Sequence, residues 1–157
     1  ELSKENTYTE KSKEYAKELC DVCGVKDTYL PFSIGKKDSW SLKYNLVWDR
    51  IYGFNLFSED IYKAESLLYR EKLNKYGVPL DYRRDFTKTD WMIWASCLDE
   101  TGENVKAVSE SMVKFLEDTE NLVCFSDWYD TKNAKQCGFD HRSVQAGLWM
   151  AELAAKK

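Results

Sequence analysis

The chain has 157 residues, close to the usual size of one domain and long enough to bury a substantial core. Its formal charge of −4, with scattered basic residues, leaves no nucleic-acid footprint, and its uncharged runs, such as Trp91 to Leu98, are far too short to cross a bilayer. Aromatic residues make up 15%, including six Trp and ten Tyr, a density that suits a broad core or a cleft lined with stacking surfaces.

The sequence opens at "ELSKENTY" with no signal peptide and no initiator Met, as expected of a mature fragment or an excised piece. A first helix is predicted from about Thr9 to Cys23, with Tyr15, Ala16, Leu19, Cys20 and Cys23 on one stripe and Gly24 stopping it. "CDVCG" has the spacing of half a zinc knuckle or of a redox motif. No second pair follows at a suitable distance, and the single histidine, His141, stands far away. The cysteines (Cys20, Cys23, Cys97, Cys124 and Cys137) therefore read as small apolar fillers. A second helix, "SLKYNLVWDRIY", runs from about Ser41 to Tyr52. The third follows Ser58 as N-cap and carries Ile61, Ala64, Leu67 and Leu68 before Gly77 ends it. "KTDWMIWASCLD" is the fourth, capped by Thr87 or Thr89, and the fifth places Val105, Val108, Met112, Phe115 and Leu116 on one face. The sixth, "HRSVQAGLWMAELAA", closes the chain, and no long strand is predicted.

Segments one, three and five are amphipathic, whereas two, four and six are apolar around most of their circumference. Outer and inner helices should therefore alternate in two layers, an all-α stack of three antiparallel hairpins. The connectors alternate too. Three are long, Gly24 to Trp40, Tyr76 to Thr89 and Glu120 to Asp140, and each leads from an outer helix into an inner one. All three must emerge at the end that presents the N-termini of the inner helices, where the dipole and free N–H groups favour anionic or polar ligands.

The first long loop offers Tyr29, Phe32, Asp38, Ser39 and Trp40. The second interleaves Asp81, Asp85 and Asp90 with Arg83, Arg84 and Lys88. The third, "NLVCFSDWYDTK", packs Phe125, Trp128 and Tyr129 around Ser126, Asp127 and Asp130 and leads to "GFDHRS". Carboxylates beside arginines and rings are the ingredients of a polar-substrate site: acid, base, charge clamp and stacking walls. The plainer alternatives are a surface ion-pair cluster in the second loop and a packed plug in the third, with Trp128 in the core and Asp127 capping a turn. His141, beside Arg142, is equally placed as a structural or a site residue. Asp49 and Asp90, within or at the start of inner helices, need partners such as Arg50, Arg83 or Lys88. No nucleophile elbow, phosphate loop or metal box is present, and no cofactor is implied.

The segments "WSLKYNLVWDRIYGFNLF", "NKYGVPLDYRRDFTKTDWMIWAS", "FSDWYDT" and "GFDHRSVQAGLWM" resemble the glutaminase A family, specifically its six-hairpin, glycosidase-like helical domain, from about Tyr29 to the C-terminus. The resemblance implies an (α/α)6 toroid, of which three hairpins are about half. It also implies a longer exported parent protein (periplasmic, cell-surface or secreted) that hydrolyses glutamine to glutamate and ammonia. Residues 1–157 are then a single helical domain, part of a larger toroid, with the rest of the parent chain as partner. The motif positions carried over as substrate-binding candidates are Trp40, Lys43, Tyr44, Asn45, Asp49, Arg83, Asp90, Trp128, Tyr129 and Arg142, with Asp81 and Asp127 as candidate catalytic carboxylates. In glutamine hydrolysis Asp81 or Asp127 would activate water, while Arg83 or Arg142 holds the α-carboxylate bidentately. The toroid also serves glycoside hydrolysis, with a sugar as substrate and Asp81 and Asp127 as the acid/base pair, and a third alternative is an inactive structural piece of the parent enzyme. Half a toroid should expose the apolar face of its inner helices, leading to collapse into a compact bundle or to self-association.

Overall fold

A computed structural model describes residues 7–26, 28–120 and 124–156. Asn121, Leu122 and Val123 of the third long loop, Asp27 of the first, and both chain ends lie outside the described residues. Six helices form: α1 (Thr7–Cys23), α2 (Val47–Tyr52), α3 (Glu59–Glu71), α4 (Thr89–Ser96), α5 (Glu103–Asp118) and α6 (Met150–Ala155). Two 3-10 segments, Tyr44–Leu46 and Ser143–Trp149, lead into α2 and α6. No helix among the described residues is long and apolar enough to cross a membrane.

The hub is α4. Its sequence "TDWMIWAS" buries Thr89, Asp90, Met92, Ile93, Ala95 and Ser96 and leaves Trp91 and Trp94 half-buried, as a largely apolar circumference requires. Around it pack α3, α5, α6 and both 3-10 segments. The amphipathic faces of α3 and α5 turn Ile61, Leu68, Val108, Met112 and Phe115 inward, at the spacing their sequences set. By contrast α1 is peripheral. Ala16 is buried, and Cys20 and Cys23 touch a small satellite cluster of Val25, Leu30 and Ile61, but Tyr15 and Leu19 of the expected stripe stay exposed.

The expectation of an all-α fold needs one correction. Strands β1 (Phe86–Lys88) and β2 (Trp128–Asp130) pair antiparallel, with Lys88 opposite Trp128 and Thr87 opposite Tyr129. Thr87 and Tyr129 are fully buried on the inner side of this ribbon, while the residues flanking them stay half-buried. The cause is backbone chemistry. A loop that runs through the interior must pair its N–H and C=O groups, and here each long loop finds its partner in another.

The same demand shortens helix two. Ser41 and Leu42 are extended, because the Leu42 N–H donates to Leu80 O at 2.8 Å and Tyr82 N–H donates to Trp40 O at 3.1 Å. Second and third loops are joined further by Thr131 N–H to Asp85 O at 2.8 Å and Tyr76 N–H to Thr131 O at 3.0 Å. All three long loops therefore meet at one end, as the connector alternation requires. Tyr129 locks that end to the core: its ring stacks on Phe115 at 3.7 Å and its hydroxyl donates to Tyr76 O at 2.8 Å.

Gly77 lets the loop pass close to α4. Its φ of 133° is costly for other residues, and a Cβ there would lie 2.5 Å from Met92 Sδ. Gly77→Ala should destabilise the fold by about 1–3 kcal/mol, measured by urea unfolding, since both strain and overpacking act in the same direction.

The expected two complete layers do not form, because the expected inner face is covered only in part. On it, Tyr52 at the end of α2 and Trp149 before α6 keep 63% and 73% of their surface in solvent, and Leu153 is exposed as well. Collapse has not covered them. In light scattering the chain on its own should associate, and Trp149→Glu with Leu153→Glu should return it to monomer. A monomer without those changes would count against a sticky inner face.

Candidate functional site

The strand β1 runs into α4 without a break, so Lys88 stands at the helix N-terminus. Asp127, just before β2, accepts the first free N–H of that helix through its backbone: Thr89 N–H donates to Asp127 O at 3.0 Å. This places the Asp127 side chain among groups from three segments. Lys88 Nζ lies 3.6 Å from one carboxylate oxygen and Arg142 Nε 3.6 Å from the other. Both distances exceed a hydrogen bond. Asp127 is 0% exposed, and neither oxygen has a hydrogen-bond partner among the described residues. A buried carboxylate held only by loose ion pairs is costly for stability.

Asp90, one residue into α4, adds a second carboxyl group. Burial pushes it above its ordinary value; the Trp91 N–H opposes this and the charge of Asp127 raises it further. Its Oδ1 is buried without a partner. Two acids sit together, one against two cations and the other driven toward its neutral form.

Rings close the cluster. Lys88 Nζ lies 4.0 Å from the centroid of Phe139, 5.6 Å from that of Trp91 and 5.7 Å from that of Trp128, and the Arg142 guanidinium lies 4.3 Å from Phe139. Trp128 packs on Phe139 at 4.9 Å, and Tyr44 stacks on Trp91 at 4.1 Å. The last segment is fastened by Thr89 Oγ1 donating to Gln145 Oε1 and by Trp94 Nε1 donating to Gly147 O at 2.9 Å. Gly147 is needed there, because a Cβ would come 2.8 Å from Cβ of Asp90.

The structure thus brings together Asp127, Asp90, Arg142 and Trp128, with Tyr44 joined through Trp91. The other expected site residues do other work. Asp81 is held by Arg83 in a bidentate pair at 2.9 and 2.8 Å, and this hydrogen bonding keeps its carboxyl below the usual range. None of its partners among the described residues is shared with Asp127. Tyr129, expected as a pocket wall, is a core residue. Trp40 is also core, and Asn45 sits exposed in the 3-10 turn. Asp49 accepts the Tyr62 hydroxyl and the Leu56 N–H, which folds the chain back after α2.

Lys43 belongs to a separate node. Its Nζ donates to Ser41 Oγ at 2.9 Å, and burial lowers its affinity for a proton. Nearby Glu65, fully buried, accepts the Leu30 N–H at 2.8 Å and the Tyr69 hydroxyl at 2.9 Å, and burial pushes its carboxyl up while Lys43 opposes. This node ties the first loop to α3. Clefts of about 590 and 540 Å³ lie elsewhere, one between the end of α5 and the turn after β2, the other between α2, α5 and α6. Each is lined by two acids, Asp118 and Glu120 in the first and Asp99 and Glu100 in the second, but Lys75 pairs with Asp118, Arg70 with Asp99 and Arg50 with Glu100, whereas the carboxylate oxygens of Asp127 keep no hydrogen bond among the described residues.

Trp91 and Phe139 were not among the residues expected from the sequence, and Lys88 was expected there only as a loop cation and candidate partner of an inner-helix acid; the structure sets it on the outer face of β1 with Phe86, opposite Trp128.

A family described as the glutaminase A six helical-hairpin domain matches residues 1–152. Glutaminase A of Aspergillus oryzae is 33% identical over 101 residues, which cover 64% of this chain and 14% of that protein. The aligned region is therefore a small part of that relative's length. No solved structure matches the chain at a significant level. The chain belongs to the glutaminase A six helical-hairpin domain family.

Proposed function

We propose that this domain contributes part of the active site of an exported glutamine amidohydrolase, as about half of the wall of a six-hairpin toroid. The observation that carries the proposal is the carboxylate of Asp127, buried without a hydrogen-bond partner between Lys88 and Arg142 where the three long loops meet. Family membership supports the reaction, through a relative whose name is glutaminase A. Glutamine offers an α-carboxylate, which suits the planar fork of Arg142 with Lys88 beside it. Both cations stand 3.6 Å from Asp127, beyond hydrogen-bond reach, so they keep donors that a substrate carboxylate can accept while Asp127 stays beside them. Asp127 then accepts the proton of the attacking water, and Asp90, driven toward its protonated form, is suited to supply the proton that leaves with ammonia. The Asp81–Arg83 pair is already satisfied by its own bidentate contact, which favours Asp127 and Arg142 for these roles.

The test is ammonia release from free glutamine by the parent protein, run beside a panel of aryl glycosides. Asp127→Asn should lower kcat by a factor of about a hundred or more in a protein that still unfolds cooperatively. Activity retained in the folded variant would end this reading. The exposed parts of Trp91 and Trp128 would equally stack a sugar, so cleavage of glycosides without ammonia would replace it by glycoside hydrolysis with Asp90 and Asp127 as the pair.

Asp90 also makes a pH signature. Its pKa is raised on folding from the ordinary 3.8, so the folded state binds more protons than the unfolded one above that value, and stability falls as pH rises through the window. Asp90→Asn should therefore be more stable than the parent at neutral pH, with the advantage shrinking toward the ordinary carboxylate range. Denaturant midpoints measured across pH check the sign, and an equal difference at every pH would contradict the burial of an ionisable Asp90.

A further inference from the structure

We infer that Cys124 is a nucleophilic thiol paired with His141, and that in the reaction proposed above it forms the covalent bond to the carboxamide carbon of the substrate. The substrate assignment rests on that proposal; the thiol–imidazole pair does not. Cys124 Sγ lies 2.7 Å from His141 Nε2, across seventeen residues of chain. An imidazole nitrogen in contact with a thiol can take its proton, which converts a weak nucleophile into a strong one.

The loop geometry works to make that contact. Gly138, Phe139 and His141 all have left-handed backbones, with φ of 109°, 63° and 56°. Non-glycine residues rarely adopt this conformation, and two in one short turn must be held by their surroundings. Ser126 Oγ donates to Gly138 O, and Cys137 N–H donates to Trp128 O at 2.9 Å, stitching the turn to the segment that carries Cys124. The same turn sets Phe139 beneath Lys88 and Arg142. Cys124 stands three residues before Asp127 and His141 immediately before Arg142, so two short segments carry both the dyad and the ion cluster.

The other cysteines lack this setting. Cys97 Sγ faces the carbonyl of Ile93 within α4, and burial pushes its thiol up to about 11. The Cys137 thiol faces Lys135 O, and burial raises it as well. Cys20 is raised by burial, then by Cys23 beside it. Cys124 is half-buried, which leaves it reachable.

The chemistry balances in two steps. In the first, Sγ attacks the carboxamide carbon as His141 takes the thiol proton; the C–N bond breaks, that proton leaves with the nitrogen as ammonia in the role that direct water attack would give to Asp90, and a thioester remains on Cys124. In the second, water attacks the thioester carbon, Asp127 or His141 accepts its proton, the C–S bond breaks and the thiol is restored as glutamate departs. No oxidant, metal or further reactant is needed.

Limiting iodoacetamide on the folded parent protein, followed by peptide mass spectrometry, should label Cys124 at least about tenfold faster than Cys20, Cys23, Cys97 or Cys137. His141→Gln should remove that preference. With glutamine as substrate, Cys124→Ala should lose at least about a hundredfold in ammonia release, and an acid quench of the unsubstituted enzyme should leave a glutamyl adduct on the Cys124 peptide. Equal labelling of the cysteines, or full activity in folded Cys124→Ala, overturns the inference and leaves the proposed function standing. Absence of ammonia release by the unsubstituted protein overturns the proposed function instead, and selective labelling that depends on His141 would still establish the dyad.

Discussion

Backbone pairing between the three long loops is the constraint on which the rest of this structure depends. The second loop, the end of the first and the strand of the third run through the interior, where an unpaired N–H or C=O is costly. Leu42 to Leu80, Tyr82 to Trp40, the β1–β2 ribbon and Thr131 to Asp85 satisfy them one against another. The consequence is positional. Once the second loop is fixed to the third, β1 ends where α4 begins, and Lys88, Asp90 and Asp127 are forced into one neighbourhood. Tyr129 then holds the junction to the core by its stack on Phe115 and its hydroxyl on Tyr76, so the ribbon cannot shift without unpacking α5.

The electrostatics of that neighbourhood run against stability. Asp127 keeps two buried oxygens without hydrogen bonds, Asp90 keeps one, and the cations stand beyond hydrogen-bond reach. Elsewhere the chain resolves the same problem well. Asp49 is satisfied by Tyr62 and Leu56, Glu65 by Leu30 and Tyr69, and Asp81 by Arg83. The contrast separates structural carboxylates, which are saturated, from those with capacity left for a ligand. It also argues against a simple plug in the third loop, since a plug residue would gain from a full set of partners. Within the loop, Tyr129 plugs the core, while Asp127 and Trp128 belong to the ion cluster with Lys88 and Arg142.

Much of the layout was legible in the sequence. The α5 stripe and the apolar run of α4 are long periodic signals, and they form where expected, except that Leu116 of the stripe stays exposed. Connector lengths placed the long loops at one end. The ribbon was not legible, because three residues per strand carry too little alternation to distinguish from a loop. Nor could the extended start at Ser41 be read, since it depends on Leu80, far along the chain. Within the site, the saturation of Asp81 had a local signal, an arginine two residues on in a turn, whereas the burial of Tyr129 depends on Phe115 in another element. Cys124 and His141 meet only through a turn of left-handed residues, and of these only Gly138 announces itself by type.

The exposed side chains of Tyr52, Trp149 and Leu153 give the inner face its direction: it is built to be covered, and the toroid proposed for the parent protein would cover it. The central claim, that the Asp127 cluster is where substrate binds, is tested most directly by a crystal structure of the parent protein soaked with glutamate. The account expects the α-carboxylate of the product within about 3 Å of Arg142 or Lys88, with the side-chain carboxylate directed toward Cys124. Glutamate bound at another site, with Lys88 and Arg142 still paired only to Asp127, would contradict it.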